Sequence, residues 1–158
     1  MPRHPQRFDE VADLLNKSAL NFVRRSSLVA DKVSVDPHIA VVLGDSMGEM
    51  FTYYASCDIA FIGGSLLPLG GQNLIEACSM GKPVLIGPHT FNFEQATAMA
   101  INAGAAQRVQ NSDDLAQHLQ ALFADTDKQQ SMSSAALRFS NESRGATQRT
   151  LSLLSQFI

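Results

Sequence analysis

Three short apolar runs, each closed by glycine, do most to constrain how this chain can fold. Ile39-Ala40-Val41-Val42-Leu43 ends at Gly44, Ile59-Ala60-Phe61-Ile62 at Gly63-Gly64, and Pro83-Val84-Leu85-Ile86 at Gly87. Runs of this length without polar alternation fit strands buried on both faces of a parallel sheet. A shorter strand is expected at Ala106 to Val109. Helical patterns lie between the runs: Met47, Met50, Phe51 and Tyr54; then Leu74, Ile75 and Cys78; then Phe93 to Ala103, where Asn92 and Gln95 resemble a capping box. This alternation predicts an α/β fold, a Rossmann-like doubly wound parallel sheet with flanking helices.

The flanks extend the plan. Val11, Leu14 and Leu15 form a helical stripe, Asn21 to Arg25 reads as a strand, and Ser26 to Pro37 as a polar loop. Ser112 is expected to cap a helix carrying Leu115, Leu119, Leu122 and Phe123, and two extra C-terminal helices are expected from about Lys128 to Ile158. Met1-Pro2-Arg3-His4-Pro5 reads as a strand-to-helix loop with no strand before it, as in a piece of a longer chain. The 158 residues suit a single domain.

Composition narrows the function. Twelve Lys and Arg against fifteen Asp and Glu give a formal charge of −3, which disfavours a phosphate-neutralising nucleic-acid binder. No apolar run approaches the roughly 18–20 residues of a membrane span, and no signal peptide is apparent, so a cytoplasmic protein without direct membrane insertion is expected. Cys57 and Cys78 have no metal-type spacing and read as buried thiols. Nine of the ten glycines lie between Gly44 and Gly104, a stretch whose one basic residue is Lys82.

Ligands of parallel α/β sheets sit beyond the carboxyl ends of the strands. Four segments qualify: Pro2 to Pro5, Gly44 to Gly48, Gly63 to Asn73, and Gly87 to Asn92. In the third, paired glycines and a helix opening near Asn73 could cradle an anion with backbone N–H groups, with Glu76 one turn in to accept from ribose hydroxyls. A plain turn with Glu76 as a first-turn acid explains the same residues. Gly44-Asp45-Ser46-Met47-Gly48-Glu49 reads equally as a nucleoside-reading loop or as a capped helix start with Asp45 or Ser46 as cap. His89 is either a surface residue or a donor contact. Asp45, Glu49 and Glu76 lack metal-ligand spacing, so no metal and no cofactor is expected.

Together, Pro2-Arg3-His4-Pro5, Gly44 to Glu49, Phe61-Ile62-Gly63-Gly64-Ser65-Leu66, Gly70-Gly71-Gln72-Asn73-Leu74-Ile75-Glu76 and Gly87-Pro88-His89-Thr90-Phe91-Asn92-Phe93 resemble the C-terminal half of the 3-deoxy-D-manno-octulosonic acid (Kdo) transferases of lipopolysaccharide synthesis. The resemblance covers nearly the whole chain. It implies the C-terminal half of a GT-B glycosyltransferase, binding the donor CMP-Kdo, with the lipid A precursor and the catalytic base on an absent N-terminal domain. The whole enzyme would then lie at the cytoplasmic face of the inner membrane. CMP contacts are implied at Pro2, Arg3, Met47, Gly48, Glu49, Asn73, Leu74, Ile75 and Glu76, and further donor contacts at Gly63, Gly64, Ser65, Gly71 and His89. Transfer without a metal is implied. A UDP-sugar transferase or epimerase of the same fold, and a non-catalytic nucleotide-binding module, remain open alternatives.

Overall fold

The structure, a computed structural model, describes residues 1–2, 4–28, 35–143 and 154. It divides into two compact units, residues 1–50 and 51–158. In the first, a 3-10 turn at Pro5–Arg7 runs into helix α1, Phe8–Lys17. Pro at the opening of the turn suits a position where the N–H has no helical partner. Helix α1 buries Ala12, while Leu14 of the expected stripe is exposed. Ala19, at φ 52°, turns the chain out of the helix, with Leu20 N–H donating to Leu15 O at 3.3 Å. Strand β1, Phe22–Arg24, then pairs in parallel with β2, Val41–Leu43, in the register Phe22 to Val41 and Arg24 to Leu43. A second 3-10 turn, Arg25–Ser27, opens the expected polar loop. Residues 29–34 of that loop lie outside the described residues.

The second unit holds a three-stranded parallel sheet in the order β3 (Ala60–Ile62), β4 (Val84–Ile86), β5 (Ala106–Arg108). Ala60, Val84 and Ala106 stand in register, as do Ile62, Ile86 and Arg108. Burial on both faces, expected of every apolar run, holds for β4 alone. Phe61 of β3 and Val42 of β2 are exposed, because each lies in an edge strand of its own sheet.

Helices flank the sheet on both faces. On one, Ile62, Val84, Ile86 and Ala106 pack with Leu74, Ala77 and Cys78 around α3 (Ile75–Ser79), with Ala100 of α4 (Glu94–Asn102), and with Ala135, Ala136 and Phe139 of α6 (Thr126–Ser143). On the other, Leu85 and Val109 meet Leu122 of α5 (Ser112–Ala124) and Met132. Alanines dominate the first face, so the helices can approach the sheet closely. Helix α2 occupies Met50–Ser56, and Lys82 Nζ donates to Ala55 O at 3.2 Å, placing a cation at its carboxyl end.

Several helix starts differ from expectation. Helix α5 is capped by Asn111, whose Oδ1 accepts from Asp114 N–H at 2.9 Å, and Ser112 is its first residue. Helix α4 has no side-chain cap; Asn92 Nδ2 donates instead to Leu69 O at 3.3 Å. Of the two expected C-terminal helices, the first is α6, which runs to Ser143. Apart from Leu154, which is helical, the stretch beyond lies outside the described residues.

Candidate functional site

In the second unit, three strand ends converge on one edge. Gly63 and Gly64 follow β3, Gly87 follows β4, and Arg108 is the last residue of β5. Ser65 is the fastener between the first two. It is fully buried; its hydroxyl donates to Ile62 O and accepts from Gly87 N–H at 2.8 Å, while its carbonyl accepts from His89 N–H at 2.9 Å. Its hydroxyl is thus engaged by the fold itself. A Cβ on Gly87 would stand 2.2 Å from Ser65 O, so glycine is required there by close approach.

The rest of the long loop folds back on the same edge. Gly71 N–H donates to Gly64 O at 3.0 Å, and Asn92 N–H to Gly70 O at 3.2 Å. Gly70 and Gly71 have φ of 86° and 70°, a left-handed conformation that glycine adopts without the Cβ penalty. These bonds join the Gly63–Gly71 and Gly87–Asn92 segments into one surface, with His89 half-buried between Gly87 and the buried Thr90.

Helix α3 begins at Ile75, two residues later than expected, and Asn73 Oδ1 accepts from Ile75 N–H at 3.0 Å. It spans five residues, so its dipole falls short of the half-charge of a full-length helix. Leu74 is fully buried and its side chain belongs to the core. Glu76 is half-buried; Oε1 accepts from Asn73 Nδ2 at 3.2 Å, and Oε2 has no hydrogen-bond partner among the described residues. The negative charge of Glu76 also reaches Tyr54, whose phenol is pushed up to about 12, chiefly by burial and then by that charge.

In the first unit the loop after β2 is held by charge. Asp45 accepts from Ser26 N–H at 2.8 Å and Ser26 Oγ at 2.6 Å, with Arg24 Nη1 at 3.6 Å. Burial works to raise its carboxyl, but the Ser26 bonds, its own backbone and Arg24 together hold it below the usual range. Glu49 pairs with Arg25 Nη2 at 3.0 Å and accepts from Ser46 Oγ. Neither Asp45 nor Ser46 caps a helix start at Met47, since α2 opens only at Met50; Asp45 is engaged by Ser26 and Arg24 instead, and Ser46 donates to Glu49. Met47 and Gly48 are exposed, and Gly48, at φ 81°, has nothing within 4 Å of its would-be Cβ. Pro2 is half-buried; Arg3 lies outside the described residues. Among the described residues, no three His, Cys, Asp or Glu side chains group as a metal site. No described helix is long and apolar enough to cross a membrane.

Arg108 is the residue that sequence reading missed. Its Nη1 donates to Gly87 O at 2.8 Å and its Nη2 approaches Thr90 Oγ1 at 3.5 Å, bringing a cation to the glycine edge. The available signal was positional: a basic residue ends a strand whose neighbours end in glycine.

Parallel sheets with flanking helices and loops gathered at strand carboxyl ends define an α/β domain of the GT-B C-terminal type. The chain belongs to the family described as glycosyl transferases group 1, which matches residues 21–139. It is similar along its whole length to 3-deoxy-D-manno-octulosonic acid transferases of Bordetella pertussis, at 48% identity, and Haemophilus influenzae, at 38%. It spans 36% of the length of each of these relatives. A crystal structure described as the C-terminal CMP-Kdo binding domain of WaaA from Acinetobacter baumannii superposes with a TM-score of 0.81 at 32% identity. That match covers 88% of this chain and 70% of the other.

Proposed function

We propose that this chain is the donor-binding domain of a transferase that moves Kdo from CMP-Kdo to a lipid A precursor in lipopolysaccharide synthesis. The observation that carries the reading is the likeness to a domain described as binding CMP-Kdo, at a sequence identity well above that of fold resemblance alone. The chain acts as one nucleotide-sugar-binding domain, and the acceptor and the catalytic base belong to a part of the enzyme outside it. Glu76 holds the ribose through its unpartnered Oε2, Asn73 aligns Glu76, and the backbone at Met47 to Glu49 flanks the cytidine. Pro2 and Arg3 complete the CMP contacts, while Gly63, Gly64, Gly71 and His89 face the donor's sugar and phosphate.

An acceptor hydroxyl attacks the anomeric carbon as CMP leaves, through an oxocarbenium-like transition state. Backbone N–H groups and nearby cations stabilise the charge developing on the phosphate, so no metal is required. The whole enzyme works at the cytoplasmic face of the inner membrane.

Calorimetric titration with CMP and UMP tests the reading. CMP is expected to bind in preference; a preference for UMP overturns the Kdo assignment. Glu76→Ala should weaken CMP binding about tenfold or more, in keeping with a loss of roughly 1.5–3 kcal/mol for a hydrogen bond to a charged group. His89→Ala should weaken it less, and an equal or reversed ranking removes the ribose role from Glu76.

A further inference from the structure

Among the described arginines, Arg7, Arg24 and Arg25 each sit beside a carboxylate, and Arg138 is exposed to water. Arg108 differs from all of them. It is half-buried, and no described carboxylate lies within ion-pair distance. Its partners are neutral acceptors, Gly87 O at 2.8 Å and Thr90 Oγ1 at 3.5 Å. A guanidinium carries five N–H donors, so these two contacts leave three without a described protein partner. Withdrawing a cation from water without a counter-charge is unfavourable, and a planar fork of donors suits a carboxylate or a phosphate.

The position supplies the rest. Arg108 stands in register with Ile62 and Ile86, the residues from which the Gly63-Gly64 and Gly87 turns depart. Its charge therefore reaches the strand-end edge joined through Ser65, where Gly87 admits no side chain and where α3 is too short to provide a full dipole.

We propose that Arg108 receives an oxyanion of the donor, the sugar carboxylate or the phosphate, while its bond to Gly87 O holds the loop that carries His89. The inference rests on the donor-binding reading and adds to it a cation at the edge where the glycine turns meet.

The test is NMR titration of the isotopically labelled 158-residue chain with two probes: CMP alone, and Kdo added under saturating CMP. Arg108→Gln retains a donor for Gly87 O and removes the charge; Arg108→Lys retains both. With Arg108→Gln, the dissociation constant of at least one probe should rise tenfold or more, and Arg108→Lys should recover most of that loss. A rise for Kdo assigns the carboxylate, and a rise for CMP the phosphate. The proposal is overturned if neither constant changes more than threefold in Arg108→Gln, or if both variants lose affinity alike, which marks a purely structural role. If the wild-type chain binds neither probe, the donor-binding reading itself fails.

Discussion

Replacing Ser65 by alanine removes one buried oxygen from the junction of the β3 and β4 loops. The hydroxyl is the partner of Gly87 N–H, at 2.8 Å, and a donor to Ile62 O. Both Ser65 and Gly87 are buried, so water does not take over these bonds in the closed state. Leaving the amide unpaired costs about 1–3 kcal/mol, and the lost bond to Ile62 O adds about 1 kcal/mol. The junction should therefore loosen by about 2–4 kcal/mol, which at 1.4 kcal/mol per decade is roughly a 30- to 700-fold gain in opening. Native-state hydrogen exchange at the Gly87 amide reads this directly, and avoids assuming that two compact units unfold in one step. Gly87→Ala attacks the junction from the other side, since its Cβ would stand 2.2 Å from Ser65 O and 2.4 Å from Ser65 C, both backbone atoms that cannot rotate away. Two lesions in one contact should not add, so the double variant should lose less than the sum of the singles. A Gly87 amide whose exchange changes less than threefold in Ser65→Ala would refute the fastening role.

Two further outcomes follow from charge. Asp45→Asn should destabilise the first unit by about 1 kcal/mol at neutral pH, the exposure of its partner Ser26 limiting the effect. Because the folded carboxyl lies below its ordinary value, the wild type's advantage is complete above the unfolded value of about 3.9 and closes as pH falls through the folded one. Denaturant unfolding of both proteins across acid pH checks this, and an advantage that grows toward low pH contradicts it. In the second unit, the Tyr54 phenol should ionise at about 12, seen as a late step in near-ultraviolet phenolate absorbance that Tyr54→Phe abolishes and Glu76→Gln moves downward. The unfolded phenol ionises first, at about 10, so Tyr54 makes the fold lose stability as pH rises from there toward its folded value. An alkaline step unmoved by Glu76→Gln would sever Tyr54 from the charge of Glu76.

What was legible in the sequence was what neighbouring residues decide among themselves. An apolar run bounded by glycine marks a strand locally, so β2, β3 and β4 fall within the expected runs, and β5 within a residue of its expected end. Burial of β4 on both faces was legible too, but edge positions are a property of the sheet, and Phe61 and Val42 are exposed for that reason. Helix starts were less legible because a cap is worth about 1 kcal/mol, so one bond to a distant partner can redirect it. Asn92 could have capped α4, yet its amide serves Leu69 O; Asp45 could have capped a helix, yet it binds Ser26, nineteen residues earlier. At α3 the bond is local: Ile75 N–H donates to Asn73 Oδ1 at the first residue of the helix.

The same distinction governs the charge of the site. A stretch with nine glycines has Lys82 as its one base, so sequence reading assigned the anion to backbone N–H groups, a helix end and Arg3. A five-residue α3 weakens the helix-end contribution, while β5 carries Arg108 to Gly87 O across twenty-one residues of chain. Parallel strands bring their carboxyl ends together whatever lies between them in sequence. Cations can therefore be scarce within the glycine-rich stretch and one still stand at its edge, and the identity of the last residue of β5 decides how the edge meets a negative ligand.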